Sequence, residues 1–509
     1  MTTSRATGRA RAIVSAVLAV TVALAVSGCD SLAGGGIVST IGQLDFETPL
    51  AIPPIAASTT DADGRRVFDL TAERGSSQFT PGIDTETWGF NGDYLGPTLV
   101  AKAGEEVVVN VHNELGEVTT VHWHGMHLPA AMDGGPHSLI ADGATASPTW
   151  TVKQNAATLW YHPHLDGDTE HQAAMGLDGL FIVQDDAEAA LPLPREYGVD
   201  DIPVIVQDVR FDSDGQFDTD VKGYVGTIGD QLLVNGTLAP YQDVSTSVVR
   251  LRLLNASTAR SYDFGFDDSR DFALIGTDGG LLEKPVGTEQ VQLSPGERAE
   301  ILVTMLPGET AMLQSSPPDL GMNETLSERN AGADSFDVLQ LRAAATLADV
   351  GVVPDSLVPM EKLDPHDAAV VRSFTLSDGT INGKRMEMSR VDEVVYLDTV
   401  EVWSVSNSMA QPHSFHVHGV QFQILTINSE PPPAQLAGWK DTIFVAGGDQ
   451  YRIIMSFTDY ADATVPYMYH CHLLTHEDDG MMGQFVVVKP GEVPDLADDM
   501  GDMSDMDHG

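Results

Sequence analysis

The chain has 509 residues, of which 42% are hydrophobic and 20% are charged, so it is long enough for more than one buried core. Its 74 acidic residues outnumber its 27 basic residues and give a formal net charge of −47. This balance argues against nucleic acid as a partner, because the phosphates would be repelled. It would suit the attraction of cations, but a solvated acidic surface that favours solubility is the simpler explanation.

Residues 1–28 have the pattern of an export signal. Basic residues precede an apolar run over 13–26, which is too short for a membrane span. The run ends in Val26-Ser27-Gly28-Cys29, which is similar to a bacterial lipobox. We predict lipidation of Cys29, a tether over 29–44 and a location outside the cytoplasm, as a lipoprotein on a bacterial cell surface. An ordinary secretory signal that is cleaved nearby is the alternative.

The rest of the chain has an all-β pattern, in which short runs of Val, Thr and Ile alternate with polar residues between turn residues. A strand motif that ends in Asn occurs three times, at 107–113, 249–255 and 400–407. We therefore predict three β-sandwich domains, a proline-containing linker over 345–372, and a disordered, acidic, methionine-rich tail. The predicted ranges are 45–195, 196–350, 351–492 and, for the tail, 493–509.

Histidines are concentrated in four short motifs, two after the first copy of the repeat and two after the third. Side chains i and i+2 of a strand point the same way, so each His-x-His pair can offer two imidazoles to one metal cluster. No histidine occurs between residues 196 and 350, so we predict that the first and third domains meet to complete one site. The motif residues are His122, His124, His162, His164, His413, His416, His418, His470, Cys471 and His472, followed by His476 and Met481.

The ligand types favour copper. Imidazole, thiolate and thioether suit copper better than magnesium or calcium, and two His, one Cys and a weak axial Met describe an electron-transfer copper site. Zinc is the alternative at the level of ligand type, but it does not account for Cys471, His476 and Met481 around His413. On one strand, His470 and His472 would face one side and Cys471 the other, so this strand would link two metal sites.

These motifs resemble the copper signatures of the multicopper oxidases, the family of laccases, bilirubin oxidases, spore-coat laccases and bacterial cuprous oxidases. The resemblance covers most of residues 45–490 and includes Asp133-Gly134-Gly135-Pro136 and Gly438-Trp439-Lys440-Asp441. It implies three cupredoxin-like Greek-key β-sandwich domains. It also implies an enzyme that couples one-electron oxidation of a reductant to four-electron reduction of O₂ to water.

The resemblance implies four copper ions. The type 1 ion would be held by His413, Cys471 and His476, with Met481 as axial ligand, and the type 2 ion by His122 and His416. One type 3 ion would take His124, His162 and His472, and the other His164, His418 and His470. Cys471 would pass electrons to the three-copper cluster. Asp133 and Glu477 stand where bacterial members have acidic residues that supply protons, although both could instead orient imidazoles.

The reductant stays open between phenols or aromatic amines and Cu(I). Met386, Met388 and the methionines of the tail favour Cu(I), whereas the absence of a long Met-rich insert favours an open, laccase-like site. Ser414 also departs from the family, which usually has proline there.

A non-catalytic copper-binding or structural protein is the alternative function, and a copper nitrite reductase is disfavoured by the eight cluster histidines. We expect a monomer.

Overall fold

The structure, a computed structural model, describes residues 1–2, 36–219, 223, 225–351 and 353–496. Nearly all of the predicted export signal, Cys29, the start of the tether and most of the predicted tail lie outside the described residues. Strands account for 48% of the residues and helices for 7%, so the predicted all-β class is confirmed. Among the described residues, no helix has the length and apolar character needed to span a bilayer.

Thirty-three strands follow one another along the described chain. The first eleven are β1 Thr48–Pro49, β2 Ser58–Thr60, β3 Arg66–Thr80, β4 Ile83–Phe90, β5 Leu99–Lys102, β6 Glu106–Glu114, β7 His122–His124, β8 Thr145–Ala146, β9 Thr149–Thr151, β10 Ala157–His162 and β11 Gly179–Gln184. The next twelve are β12 Asp201–Val209, β13 Gln231–Val234, β14 Thr237–Leu238, β15 Pro240–Thr246, β16 Val248–Asn255, β17 Tyr262–Phe266, β18 Phe272–Thr277, β19 Gly280–Thr288, β20 Gln290–Leu293, β21 Arg298–Thr304, β22 Thr310–Ser316 and β23 Phe336–Ala348. The last ten are β24 Ala368–Ser377, β25 Thr380–Ile381, β26 Glu393–Tyr396, β27 Thr399–Asn407, β28 His413–Val417, β29 Phe422–Ile427, β30 Thr442–Val445, β31 Gln450–Phe457, β32 Asp462–Cys471 and β33 Met482–Val488.

Helices among the described residues are short. The α-helices are α1 Thr169–Ala174, α2 Asp186–Ala189, α3 Glu324–Arg329 and α4 Leu474–Asp478, and single 3₁₀ turns occur at Ala130–Met132, Pro365–Asp367 and Ala434–Leu436. The helix α4 contains His476 and Glu477, and it follows directly on the strand that ends at Cys471.

The strands form three pairs of sheets, which we call the first, middle and third units. The first unit pairs the sheet β5-β11-β10-β7 with a sheet built around β3 and β6, and the third pairs β25-β24-β27-β31-β29 with β26-β33-β32-β28-β30. The middle unit pairs a seven-stranded with a six-stranded sheet. The strand β1 lies in the range predicted for the first domain, but it pairs with β15 and so extends a sheet of the middle unit.

The internal repeat of the sequence corresponds to the same strand pair and the same turn in all three units. The strands β6, β16 and β27 each run parallel to an earlier strand, namely β3, β12 and β24. Each repeat ends in a buried asparagine whose side-chain oxygen accepts from the backbone N–H two residues later, at 2.8–3.0 Å. Each asparagine amide also donates to two carbonyls, one that lies 4 or 5 residues later in the following turn and one that lies 27 to 38 residues later. These asparagines are Asn113, Asn255 and Asn407. The same turn therefore leads into the histidine strands of the outer units and into β17 of the middle unit.

Candidate metal centre

Strand pairing brings the four histidine motifs together. In the first unit β7 lies antiparallel to β10, so that His122 is opposite His162. In the third unit β28 lies antiparallel to β32, so that His416 is opposite His470. Eight histidines, which we call the histidine cluster, pack together with side chains at most 1% exposed. They are His122, His124, His162, His164, His416, His418, His470 and His472.

Three imidazoles converge on one point through their Nε2 atoms. His418 Nε2 lies 3.2 Å from His164 Nε2 and 3.1 Å from His470 Nε2. The Nδ1 atoms of these rings face carboxylate oxygens, of Asp133 for His418 and of Glu477 for the other two. Facing nitrogen lone pairs repel one another unless a cation lies between them. The spacing is that of ligands about 2 Å from one ion.

A second group joins His124, His162 and His472. His124 Nδ1 lies 3.3 Å from His162 Nε2, and the ring of His472 is 4.9 Å and 5.2 Å from these two rings. The Nδ1–H of His162 donates to the carbonyl of Pro163 at 2.7 Å, so its Nε2 keeps a free lone pair. Neither ring nitrogen of His472 has a hydrogen-bond partner. This group has the donors for a second ion.

The remaining two cluster histidines are fixed by backbone carbonyls. The Nδ1–H of His122 donates to the carbonyl of Asp133, and that of His416 donates to the carbonyl of Asp441, both at 2.9 Å. A carbonyl can only accept, so both rings present Nε2 as an acceptor, and both Nε2 atoms are buried without a partner. Buried polar atoms without a partner are uncommon, and two acceptors of this kind fit a role as metal ligands. The rings lie 5.8 Å apart.

The cysteine site, which we define as His413, Cys471, His476 and Met481, lies beside the histidine cluster. Cys471 Sγ is 3.5 Å from His413 Nδ1 and 3.7 Å from His476 Nδ1. The buried Met481 is tied to the same loop, because its N–H donates to the His476 carbonyl and its carbonyl accepts from the Cys471 N–H. His413 is buried and His476 is half-buried, so His476 is the ligand that approaches the surface.

Burial keeps the imidazoles neutral, which is the form that binds metals. It lowers the pKa of His162 and of His413 to about 3, and it lowers the pKa of His122, His124 and His472 well below the usual value. Burial also raises the pKa of the Cys471 thiol to about 12. A bound cation deprotonates such a thiol, so metal binding at the cysteine site would release a proton.

The two predicted proton donors both lie against the histidine cluster. Asp133 Oδ2 is 2.7 Å from His418 Nδ1, and burial raises the pKa of this carboxyl well above the usual value. Glu477 is 1% exposed and places its two oxygens 3.2 Å from His164 Nδ1 and 2.9 Å from His470 Nδ1. Both carboxyls therefore contact ligand rings, which fits orientation of those rings as well as proton supply.

One carboxylate at this centre had no predicted role. Asp441 Oδ1 lies 3.1 Å from His124 Nε2, and both its oxygens bind Arg298 at 2.7 Å. A Cβ atom at Gly125, which has φ +83°, would lie 2.5 Å from Asp441 Oδ2, so glycine is required after His124. The motif that contains Asp441 is visible in the sequence, whereas no sequence motif around Arg298 indicates that it contacts the metal centre.

Family models described as multicopper oxidase match residues 71–188, 201–328 and 359–491, which is most of the chain. The chain belongs to the multicopper oxidase family. The predicted family and its cupredoxin-like β-sandwich fold are thereby confirmed. Membership of this family implies copper binding, and the ligand set fits copper, because neutral imidazole nitrogens and one thiol converge in buried groups.

Three proteins illustrate the relationship. "Multicopper oxidase mco" of Staphylococcus aureus is 33% identical over 446 residues, which are 86% of this chain and 92% of that protein. "Cell division protein FtsP" of Escherichia coli (strain K12) is 36% identical over 466 residues, which are 90% and 96% of the two chains. The laccase-like multicopper oxidase CueO of Ochrobactrum sp. is 35% identical, with a TM-score of 0.78 over 86% of this chain and all of that one. This oxidase therefore has relatives that are described as enzymes and relatives that are described by a role in cell division.

Proposed function

We propose that the protein is a four-copper oxidase that oxidises a small reductant one electron at a time and reduces O₂ to water. The cysteine site would hold the type 1 ion. His122 and His416 would hold the type 2 ion, and the two groups of three histidines would hold the type 3 pair. The observation that carries the proposal is the close approach of imidazole Nε2 atoms, as between His418 and His470. The Nδ1 atom of each of these rings faces a carboxylate oxygen, which leaves Nε2 as the metal-binding atom.

Bound copper would supply one-electron acceptors at the cysteine site and a binding place for O₂ at the histidine cluster. The chain provides the connection between them, because Cys471 is joined by peptide bonds to His470 and His472. Burial of all three residues excludes water from this path. Asp133 and Glu477 would supply protons beside the cluster, and burial raises the pKa of the Asp133 carboxyl well above its usual value.

The reductant would act at the cysteine site, where His476 approaches the surface. Two substrate classes have support. Met386 lies over this loop, since its N–H donates to the Gly480 carbonyl at 2.9 Å, and thioethers favour Cu(I). The Ochrobactrum relative is described as having oxidase activity towards lignin model compounds, which are aromatic. Cu(I) and phenols are therefore both proposed as substrates, and a role in copper tolerance depends on the first.

The proposed location is the outer face of a bacterial membrane, with the mature chain beginning at a lipidated Cys29. The support is the basic and apolar pattern of residues 1–28 together with the lipobox-like Val26-Ser27-Gly28-Cys29. We propose a monomer that binds no nucleic acid. Replacement of Cys29 by serine should release the protein from the membrane fraction, and an unchanged distribution would contradict the anchor.

A structural role is the second candidate, because "Cell division protein FtsP" of Escherichia coli is a relative at 36% identity. Such a role would need no convergent metal ligands. The buried, unpartnered Nε2 atoms of His122 and His416 favour the oxidase, since they cost stability without a ligand.

Oxygen uptake by the copper-loaded mature chain tests the proposal. The reductants are Cu(I) and 2,6-dimethoxyphenol, and kcat/KM is compared between them, with the Cys471→Ser variant as the inactive control. Preference for Cu(I) that falls on deletion of residues 498–509 would identify a copper-defence enzyme, and preference for the phenol a laccase. No uptake with either reductant despite full copper loading would refute the oxidase and favour the structural role.

A further inference from the structure

The middle unit contributes no histidine, yet its turn 294–298 contacts both halves of the histidine cluster. A Cβ atom at Gly296 would lie 3.1 Å from both His124 Cε1 and His472 Cδ2, so this backbone packs directly on the rings. The hydroxyl of Ser414, where the family usually has proline, donates to the carbonyl of Pro295 at 2.9 Å. The turn is therefore part of the wall of the metal centre.

Arg298 is the charged side chain of this turn that faces the cluster. It is 1% exposed, and all five of its guanidinium hydrogens have acceptors. Two hydrogens bind Asp441 in a fork, with both distances 2.7 Å. The other three donate to backbone carbonyls of Thr158, Gly296 and Asp278 at 2.9–3.0 Å. These five hydrogen bonds hold the guanidinium in one orientation. The fork in turn fixes the orientation of the Asp441 carboxylate.

Asp441 passes this constraint to one histidine from each half. Its Oδ1 lies 3.1 Å from His124 Nε2, and its backbone carbonyl accepts from His416 Nδ1–H at 2.9 Å. The two rings stack 3.8 Å apart with an interplanar angle of 14°. His124 is thereby set to present Nδ1 to the metal and His416 to present Nε2.

We propose that Arg298 is a positioning residue of the three-copper cluster, through which the copper-free middle unit fixes the tautomers and orientations of His124 and His416. This inference rests on the proposed four-copper function. Loss of the guanidinium fork would let the Asp441 carboxylate rotate away from His124, because no other cation among the described residues is as close and only the Thr442 hydroxyl, 2.9 Å from Oδ1, would remain as a further donor. The type 2 and type 3 ions would then be held less tightly, and the type 1 ion would be unaffected.

The Arg298→Lys variant tests the proposal, because lysine keeps the charge but cannot form the fork. Arg250→Lys is the matched control, since Arg250 is also buried and binds Glu188 and Glu300 without touching a histidine. We measure copper retention against a chelator, the electron paramagnetic resonance (EPR) signal of type 2 copper, and the thiolate absorption of type 1 copper. We expect Arg298→Lys to retain type 2 and type 3 copper about 10- to 100-fold less tightly, with an altered type 2 signal and an unchanged thiolate band. We expect Arg250→Lys to keep all three readouts.

Equal copper retention and an unchanged type 2 signal in Arg298→Lys would overturn the proposal and leave Arg298 as a contact between units. If that variant does not fold, Asp441→Asn gives the answer, because it breaks the same fork with Arg298 and removes the carboxylate beside His124. We then expect weaker type 2 and type 3 copper, and retention of both would overturn the proposal. Absence of type 2 copper from the unmodified protein would instead refute the four-copper function.

Discussion

Asp133 and His418 lie 285 residues apart in the chain, yet Asp133 Oδ2 is 2.7 Å from His418 Nδ1. The contact joins a turn of the first unit to the histidine strand of the third. The carbonyl of Asp133 also accepts from His122 Nδ1–H at 2.9 Å. One residue thus contacts a ligand ring from each half, by its backbone on one side and by its carboxyl on the other.

The Asp133→Asn variant separates the two roles of this residue. Asparagine keeps the backbone carbonyl that orients His122 and a polar group beside His418, but it cannot supply a proton. We expect full copper content and a kcat for oxygen uptake that is lower by about 100-fold, the smaller end of general acid effects. Loss of copper in this variant would show that the carboxylate acts by holding the histidines in place.

Cys471→Ser should separate the cysteine site from the histidine cluster. A hydroxyl is a poor copper ligand beside two imidazoles, so we expect the thiolate absorption and oxygen uptake to be lost. The cluster histidines keep their contacts, and the EPR signal of type 2 copper should remain. Retained oxygen uptake would mean that electrons reach the cluster without passing through Cys471.

Met386→Leu tests the choice of reductant. Leucine keeps the apolar volume but has no thioether, so we expect kcat/KM for Cu(I) to fall by about tenfold, the effect of about 1.4 kcal/mol. The value for 2,6-dimethoxyphenol should be unchanged. Met312→Leu on β22, a half-buried methionine of the middle unit, is the control. Equal losses with both reductants would indicate that Met386 only supports the loop.

Glu300 should make the stability of the middle unit depend on pH. Burial acts to raise its pKa, but Arg250 and Arg252 outweigh burial and lower the pKa to about 2 from 4.5. A carboxyl with a lowered folded-state pKa adds stability above its unfolded pKa, and this stability is lost as the pH falls to about 2. We expect a contribution of about 3 kcal/mol at neutral pH, since one pKa unit corresponds to about 1.4 kcal/mol.

Urea unfolding of Glu300→Gln and the unmodified chain at several pH values measures this contribution. The difference in unfolding free energy should be full at neutral pH, shrink below about pH 4.5 and vanish near pH 2. Asp186→Asn, which removes an exposed partner of Lys102, is the control and should follow the unmodified chain. A difference that does not change with pH would assign the effect of Glu300 to packing.

The convergence of the motif histidines could be predicted from the sequence, because residues that share one face of a strand are close together in the chain. The pair His122 and His124 is two residues apart, and Cys471 lies between His470 and His472, so alternation on a strand predicts which side chains share a face. The three repeats could be predicted for the same reason, and the buried Asn113, Asn255 and Asn407 mark equivalent turns.

The contacts that orient the ligands could not be predicted in this way. Arg298 and Asp441 are 143 residues apart, and their meeting depends on how the middle and third units pack. The placement of β1 in a sheet of the middle unit is likewise a long-range pairing, of Thr48 with Pro240, that two residues of strand cannot encode. The predicted domain limits near 195 and 350 remain predictions, as do the roles assigned to each copper ligand.

The division of the histidine cluster between the ends of the chain has a consequence for synthesis. His164 and His418 face each other across 254 residues of sequence, so a ribosome must add all of these residues before both histidines could hold one ion. A chain that stops early offers only half of the cluster and lacks the cysteine. Under the proposed function, metal loading would therefore report that the chain has been synthesised through Met481 and that the first and third units have met.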